Sequence, residues 1–122
     1  MQLEIVEEGD AALIRITARR LEARIADRLA SRMAGVFDNR TIAVIDFSQV
    51  GFIDSAGMKA MMNVLMACRK KQGACVLHGV CEDIMSVFVI TRLSRLLPVA
   101  TDREQALSLA RHMLVSARGS AA

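Results

Sequence analysis

The stretch Thr41–Met58, TIAVIDFSQVGFIDSAGM, decides how this chain folds. It opens with a near-continuous apolar run, Thr41 to Phe47, interrupted only by the carboxylate of Asp46 near its end. Such a run suits a strand buried on both faces, which favours a parallel sheet flanked by helices. The chain then leaves through a polar exit at Ser48 and Gln49 and passes an apolar pair, Phe52 and Ile53. It reaches an acid, a hydroxyl and two small residues, Asp54-Ser55-Ala56-Gly57. These open the longest helical pattern, Ser55 to Gln72, with an expected apolar stripe of Met58, Met61, Met62, Leu65 and Met66. Arg69, Lys70 and Lys71 sit in its last turn, where they complement the negative end of the helix dipole, and Gly73 is expected to stop it.

Upstream, Leu3–Val6 and Ala11–Thr17 read as two strands joined through the turn signal Glu7–Asp10, a hairpin. Glu22–Ala34 has helical spacing. Ile25, Leu29 and Met33 share one face, Arg24, Arg28 and Arg32 share another, and Gly35 is the expected C-cap. Downstream, Ala74–Leu77 reads as a second buried strand. Glu82–Thr91 reads as a short helix with Ile84, Val87 and Phe88 inward. Leu97–Ala100, which contains Pro98, reads as a short edge strand or strand end. Thr101-Asp-Arg-Glu104 has the pattern of a capping box with Thr101 as N-cap. It opens a last helix to about Ser116 with Ala106, Leu107, Ala110, Met113 and Leu114 inward, after which the tail should fray. The order β-β-α-β-α-β-α-β-α predicts an α/β fold. A small, mixed, mostly parallel sheet is flanked by helices in a single domain over residues 1–122, ordered from about 3 to 116.

Composition narrows the function. At 122 residues, 53% hydrophobic and 24% charged, with seven Gly and one Pro, the chain is neither disordered nor collagen-like. A net charge of +3 is too weak to imply nucleic acid alone, and four Phe with no Tyr or Trp leave few platforms for stacking bases. Cys68, Cys75 and Cys81 form no CxxC pair and no zinc-spaced cluster. They read as small apolar residues of a reducing cytosol, with no metal and no cofactor expected. The acidic N-terminal stretch does not read as a signal peptide, and no apolar run reaches the length of a membrane span. A cytoplasmic protein without membrane insertion is expected.

In open α/β sheets, sites lie outside the carboxyl ends of the strands, so the loop after Phe47 is the first candidate. Asp54 and Ser55 stand at a helix start, where either side chain can accept from unpaired backbone N–H groups. The same position presents the Ser55 hydroxyl where the dipole favours a phosphate. A serine-hydrolase elbow would need Gly where Ile53 stands, and the two histidines, His78 and His112, fall on a strand and on the far C-terminal helix. Neither phosphate-binding glycine motif is present, and no enzymatic activity is expected.

The stretch VIDFSQVGFIDSAGMKAMM, with GACVLHGV and TRLSRLLPVATDREQAL downstream, resembles the STAS domain family, most closely its stand-alone anti-sigma factor antagonists. The resemblance covers roughly residues 3–115, and its most specific part is D-S-x-G at Asp54, Ser55 and Gly57. It implies that Ser55 accepts a phosphoryl group from an anti-sigma factor that is also a serine kinase. It implies too that the unphosphorylated form binds that factor and that a phosphatase restores binding. The expected contact surface is Asp54, Ala56, Gly57, Met58 and Lys59 with Leu21 and Glu22 of the neighbouring loop, Gly57 permitting close backbone approach. Two departures stand out. The family's G-x-L-D segment corresponds to Ala18-Arg19-Arg20-Leu21-Glu22, and its T-G-L segment to Thr91-Arg92-Leu93. Some stand-alone members instead serve as accessory subunits of lipid-transport ABC complexes or in stress-signalling assemblies, the alternative reading.

Overall fold

Strand β1 (Leu3–Glu8) turns at Gly9 into β2 (Ala11–Ile16), and the two pair antiparallel from Leu3↔Ile16 to Glu8↔Ala11. β3 (Arg20–Leu21) leads into α1 (Ala23–Asn39), then β4 (Ile42–Asp46), β5 (Phe52–Ile53), α2 (Ser55–Lys70), β6 (Ala74–His78) and α3 (Glu82–Ile90). A short 3₁₀ turn (Leu93–Arg95) precedes β7 (Val99–Ala100) and α4 (Arg103–Ala121). The computed structural model describes the backbone of residues 3–121 and the side chains of residues 3–115. Five strands form one sheet in the order β1-β2-β4-β6-β7, parallel except for β1. Helices α1 and α2 pack together on one face, joined there by α3, and α4 covers β4, β6 and β7 on the other.

The alternation of β4 explains both layers. Ala43 and Ile45 point into the larger core with Leu29, Met33, Met61, Leu65 and Phe88, while Ile42 and Val44 meet Ala106, Ala110 and Leu114. Each fully buried Leu, Ile or Phe side chain contributes about 1.5–3 kcal/mol of hydrophobic stabilisation. Phe47 and Phe88, both fully buried, meet edge to face at 6.0 Å and tie the end of β4 to α3.

Several expectations are corrected. The chain has two further strands, β3 and β5, which pair with each other as a separate parallel ladder. Helix α1 does not end at Gly35 but runs to Asn39, because Val36 and Phe37 extend its buried stripe. In α2, Met62 and Met66 face solvent, and the buried stripe is Met61, Val64, Leu65 and Cys68, at helical spacing. The left-handed residue after α2 is Gln72 (φ 56°). Gly73 serves a different need, since a Cβ there would lie 2.8 Å from the Thr41 carbonyl oxygen. The N-cap of α4 is Asp102, whose Oδ1 accepts from Gln105 N at 2.8 Å, and Gln105 Oε1 reaches back to Thr101 N, so the capping pattern is shifted by one residue. Cys81 is exposed, unlike the buried Cys68 and Cys75. Helix α4 continues past Ser116 to Ala121, and the side chains of the tail expected to fray lie outside the described residues. No helix among the described residues is long and apolar enough to cross a membrane.

Candidate functional site

Beyond β4 the chain makes a tight turn. Ser48 N donates to Asp46 Oδ1 at 2.8 Å, and Val50 N donates to the Phe47 carbonyl at 2.9 Å. Partial burial alone would raise the Asp46 pKa. Hydrogen bonds from the Ser48 side chain and backbone, with the charges of His78 and Arg15, outweigh it and hold the carboxyl below its ordinary value. Gly51 N and Phe52 N then donate to the Arg19 carbonyl at 2.8 and 3.2 Å, which sets β5 beside β3 in the register Arg20↔Phe52 and Leu21↔Ile53. This two-strand ladder carries the chain into α2.

The four residues Asp54–Gly57 divide the work of starting that helix. Asp54 has extended backbone (φ −104°, ψ −173°), and its Oδ1 accepts from Gly57 N at 2.9 Å. Asp54 is therefore the cap, and Ser55 is not needed for it. Ser55 is the first helical residue and is exposed, and among the described residues no hydrogen bond engages its hydroxyl. Ala56 is half-buried. Gly57 is buried, and a Cβ there would overlap the Leu21 carbonyl oxygen and come within 2.6 Å of Ile53 Cγ1. The close approach that Gly57 permits is thus internal, between α2 and the β3–β5 ladder.

The other expected contact residues separate by burial. Lys59 is exposed one turn along from Ser55, and Met58 is half-buried against the main core. Glu22, the backbone N-cap of α1, is half-buried and pairs with Arg20 Nε at 3.2 Å. Leu21 is fully buried. Leu21 and Gly57 are therefore corrected from surface contacts to residues that fix where Asp54 and Ser55 stand. Arg92 occupies the left-handed conformation (φ 64°) after α3, a strained position for a non-glycine residue. His78 ends β6, while His112 is exposed on α4, the helix that packs on the other face of the sheet.

One feature of the site was not anticipated from the sequence. The Arg20 guanidinium lies 4.0 Å over the ring of Phe52, which is partly exposed beside Asp54. Arg19, Arg20, Arg24, Glu22 and Asp54 line an open groove of about 740 Å³. A two-residue ladder has no periodicity to announce it, so neither the stack nor the groove was visible in the residue pattern.

The STAS domain family model matches residues 2–106. A Bordetella bronchiseptica protein named as an anti-sigma factor antagonist, BtrV, is 29% identical over 102 residues, which are 83% of this chain and 88% of that protein. The structure of an anti-sigma factor antagonist (STAS) domain protein from Planctomyces limnophilus superposes with a TM-score of 0.77 at 18% identity, over 88% of this chain and 96% of that one. The anti-sigma factor antagonist SpoIIAA matches in its unphosphorylated form with a TM-score of 0.71 at 14% identity, over 89% of this chain and 97% of that one. Its phosphorylated form, from Bacillus, matches with a TM-score of 0.67 at 16% identity, over 84% of this chain and 94% of that one.

Proposed function

The chain belongs to the STAS domain family, and on that footing we propose that it is an anti-sigma factor antagonist that switches partners through Ser55. The unphosphorylated form binds an anti-sigma factor that is also a serine kinase. Phosphorylation of Ser55 blocks that binding, and a phosphatase restores it. The observation that carries this reading is the division of labour at α2: Asp54 closes the cap, and the Ser55 hydroxyl stays uncovered on the first turn. The name of the Bordetella relative and the two forms of SpoIIAA support the same role.

The energetics favour a switch that acts at an interface. A phosphoserine adds about −1.5 to −2 charges and three acceptor oxygens. At a helix N-terminus this stabilises by about 0.3–1 kcal/mol, partly offset by the neighbouring Asp54, so the fold survives the modification. Taking a complex from nearly all bound to nearly all free requires roughly 5.5 kcal/mol of differential affinity. A dianion forced unpaired into a desolvated contact supplies a penalty of that scale. The proposed contact comprises exposed Lys59, one turn along from Ser55, with Asp54, Ala56 and Met58 beside it in the chain and Glu22, which shares the groove with Asp54.

The test is incubation with Mg-ATP and the cognate kinase, followed by peptide mass spectrometry. The expected result is one phosphate, on Ser55, absent from Ser55→Ala. Co-purification with a transport ATPase, with Ser55 unmodified, would instead establish the accessory-subunit role.

A further inference from the structure

The outer face of α1 is built against the interests of its own helix. Arg24, Arg28 and Arg32 are exposed at steps of four, and like charges at that spacing destabilise a helix. Arg24 also stands in the first turn, where the dipole disfavours a cation, and no acidic residue occupies that turn. Among the described residues no ion pair engages Arg19, Arg24, Arg28 or Arg32, although Asp27 lies among them. A conflict between local preference and the fold marks a feature retained for another purpose.

We infer that this arginine face, running from the groove at Asp54 along α1, docks an acidic protein surface. Four observations agree. The groove lined by Arg19, Arg20 and Arg24 reaches Asp54, so the basic face adjoins the Ser55 turn. Helix α1 packs directly against α2, on which Lys59 adds a cation and Met62 and Met66 are exposed apolar groups. The two adjacent helices thus expose both cations and adaptable apolar groups, as protein interfaces do. The carboxylates of Glu22, Asp27 and Asp54 interrupt the face. They oppose a nucleic-acid backbone, which is charged at every step, but leave room for a protein whose acids are discrete. The one exposed phenylalanine ring, Phe52, is already covered by Arg20, so it is not a free platform for a base.

The inference gives the chemistry of the partner received at the Ser55 turn and rests on the proposed function in one respect, that a protein docks there. Its test needs no kinase, so it can fail while phosphorylation at Ser55 stands, and the reverse. The full chain, isotopically labelled, is titrated with a fluorescent Glu/Asp-rich peptide and with its Gln/Asn counterpart. Parallel arms use an oligothymidylate of equal length and vesicles of phosphatidylcholine with phosphatidylserine.

The expected result is chemical-shift change centred on Arg19, Arg20, Arg24, Arg28 and Arg32. Binding of the acidic peptide should be at least about tenfold tighter than that of the neutral one, with the difference lost in high salt. The triple variant Arg24→Gln/Arg28→Gln/Arg32→Gln should lose about tenfold in affinity, whereas the Lys triple variant keeps affinity within about threefold. Unaltered melting curves exclude misfolding. Equal affinity for the two peptides, or shifts centred on Arg69–Lys71, would overturn the inference. So would a Gln variant that binds like wild type, or tighter binding of the oligonucleotide or the vesicles.

Discussion

Gly57 lies so close to the carbonyl oxygen of Leu21 that no side chain fits between them, and this contact fixes where the exposed Ser55 turn stands. Gly57→Ala must push backbone against backbone, with Ile53 also in the way, at a cost of about 1–3 kcal/mol. Thermal unfolding should show a Tm several degrees lower. Gly35→Ala is the matched control: it sits within α1 with nothing near its added Cβ and should stabilise by about 0.5–1 kcal/mol.

Removing the cap should separate helix start from hydroxyl. Asp54→Ala leaves the Gly57 N–H without its acceptor and should cost about 1 kcal/mol. Hydrogen exchange should quicken at Gly57. Asp54→Asn retains an acceptor and should lie within a few tenths of a kcal/mol of wild type.

Acid stability should report on Asp46. Its carboxyl is held below its ordinary value, so the ionised form stabilises the fold. That contribution is fully present above the unfolded pKa, about 3.9, and is lost as pH falls through the lower folded value. Urea melts at decreasing pH should therefore show a steeper loss below about pH 4 in wild type than in Asp46→Asn.

Thiol chemistry should divide the three cysteines. Burial pushes the Cys68 thiol up to about 11 and the Cys75 thiol higher still, while Cys81 is exposed at the start of α3. Brief iodoacetamide treatment of the native protein at neutral pH should label Cys81 alone, and denaturant should release the other two.

The legibility of the fold followed the strength of local signals. Ile42–Asp46 and Ala74–His78 were readable because a parallel strand buried on both faces must be apolar throughout. The exposed arginines of α1 and its buried Ile25, Leu29 and Met33 followed from helical spacing. Methionine misled in α2, since its apolar character gave Met62 and Met66 the same weight as Met61, and only packing against α1 decides the inward face. At α4 the capping pattern pointed to Thr101, and the cap forms one residue later, at Asp102, whose carboxylate takes the Gln105 N–H. At the site, Asp54 and Ser55 were readable as a helix start. The burial of Leu21 and Gly57 was not, because it depends on the β3–β5 ladder, two residues a side and too short to leave a pattern.

The most direct measurement is the affinity of the proposed anti-sigma kinase partner for this chain, taken by calorimetry with Ser55 free, phosphorylated and replaced as Ser55→Asp. The expectation is tight binding of the free form, a loss of about 10⁴-fold on phosphorylation, and a change in the same direction for Ser55→Asp with little change in Tm. Affinities that agree within about threefold across the three forms, each fully folded, would contradict it.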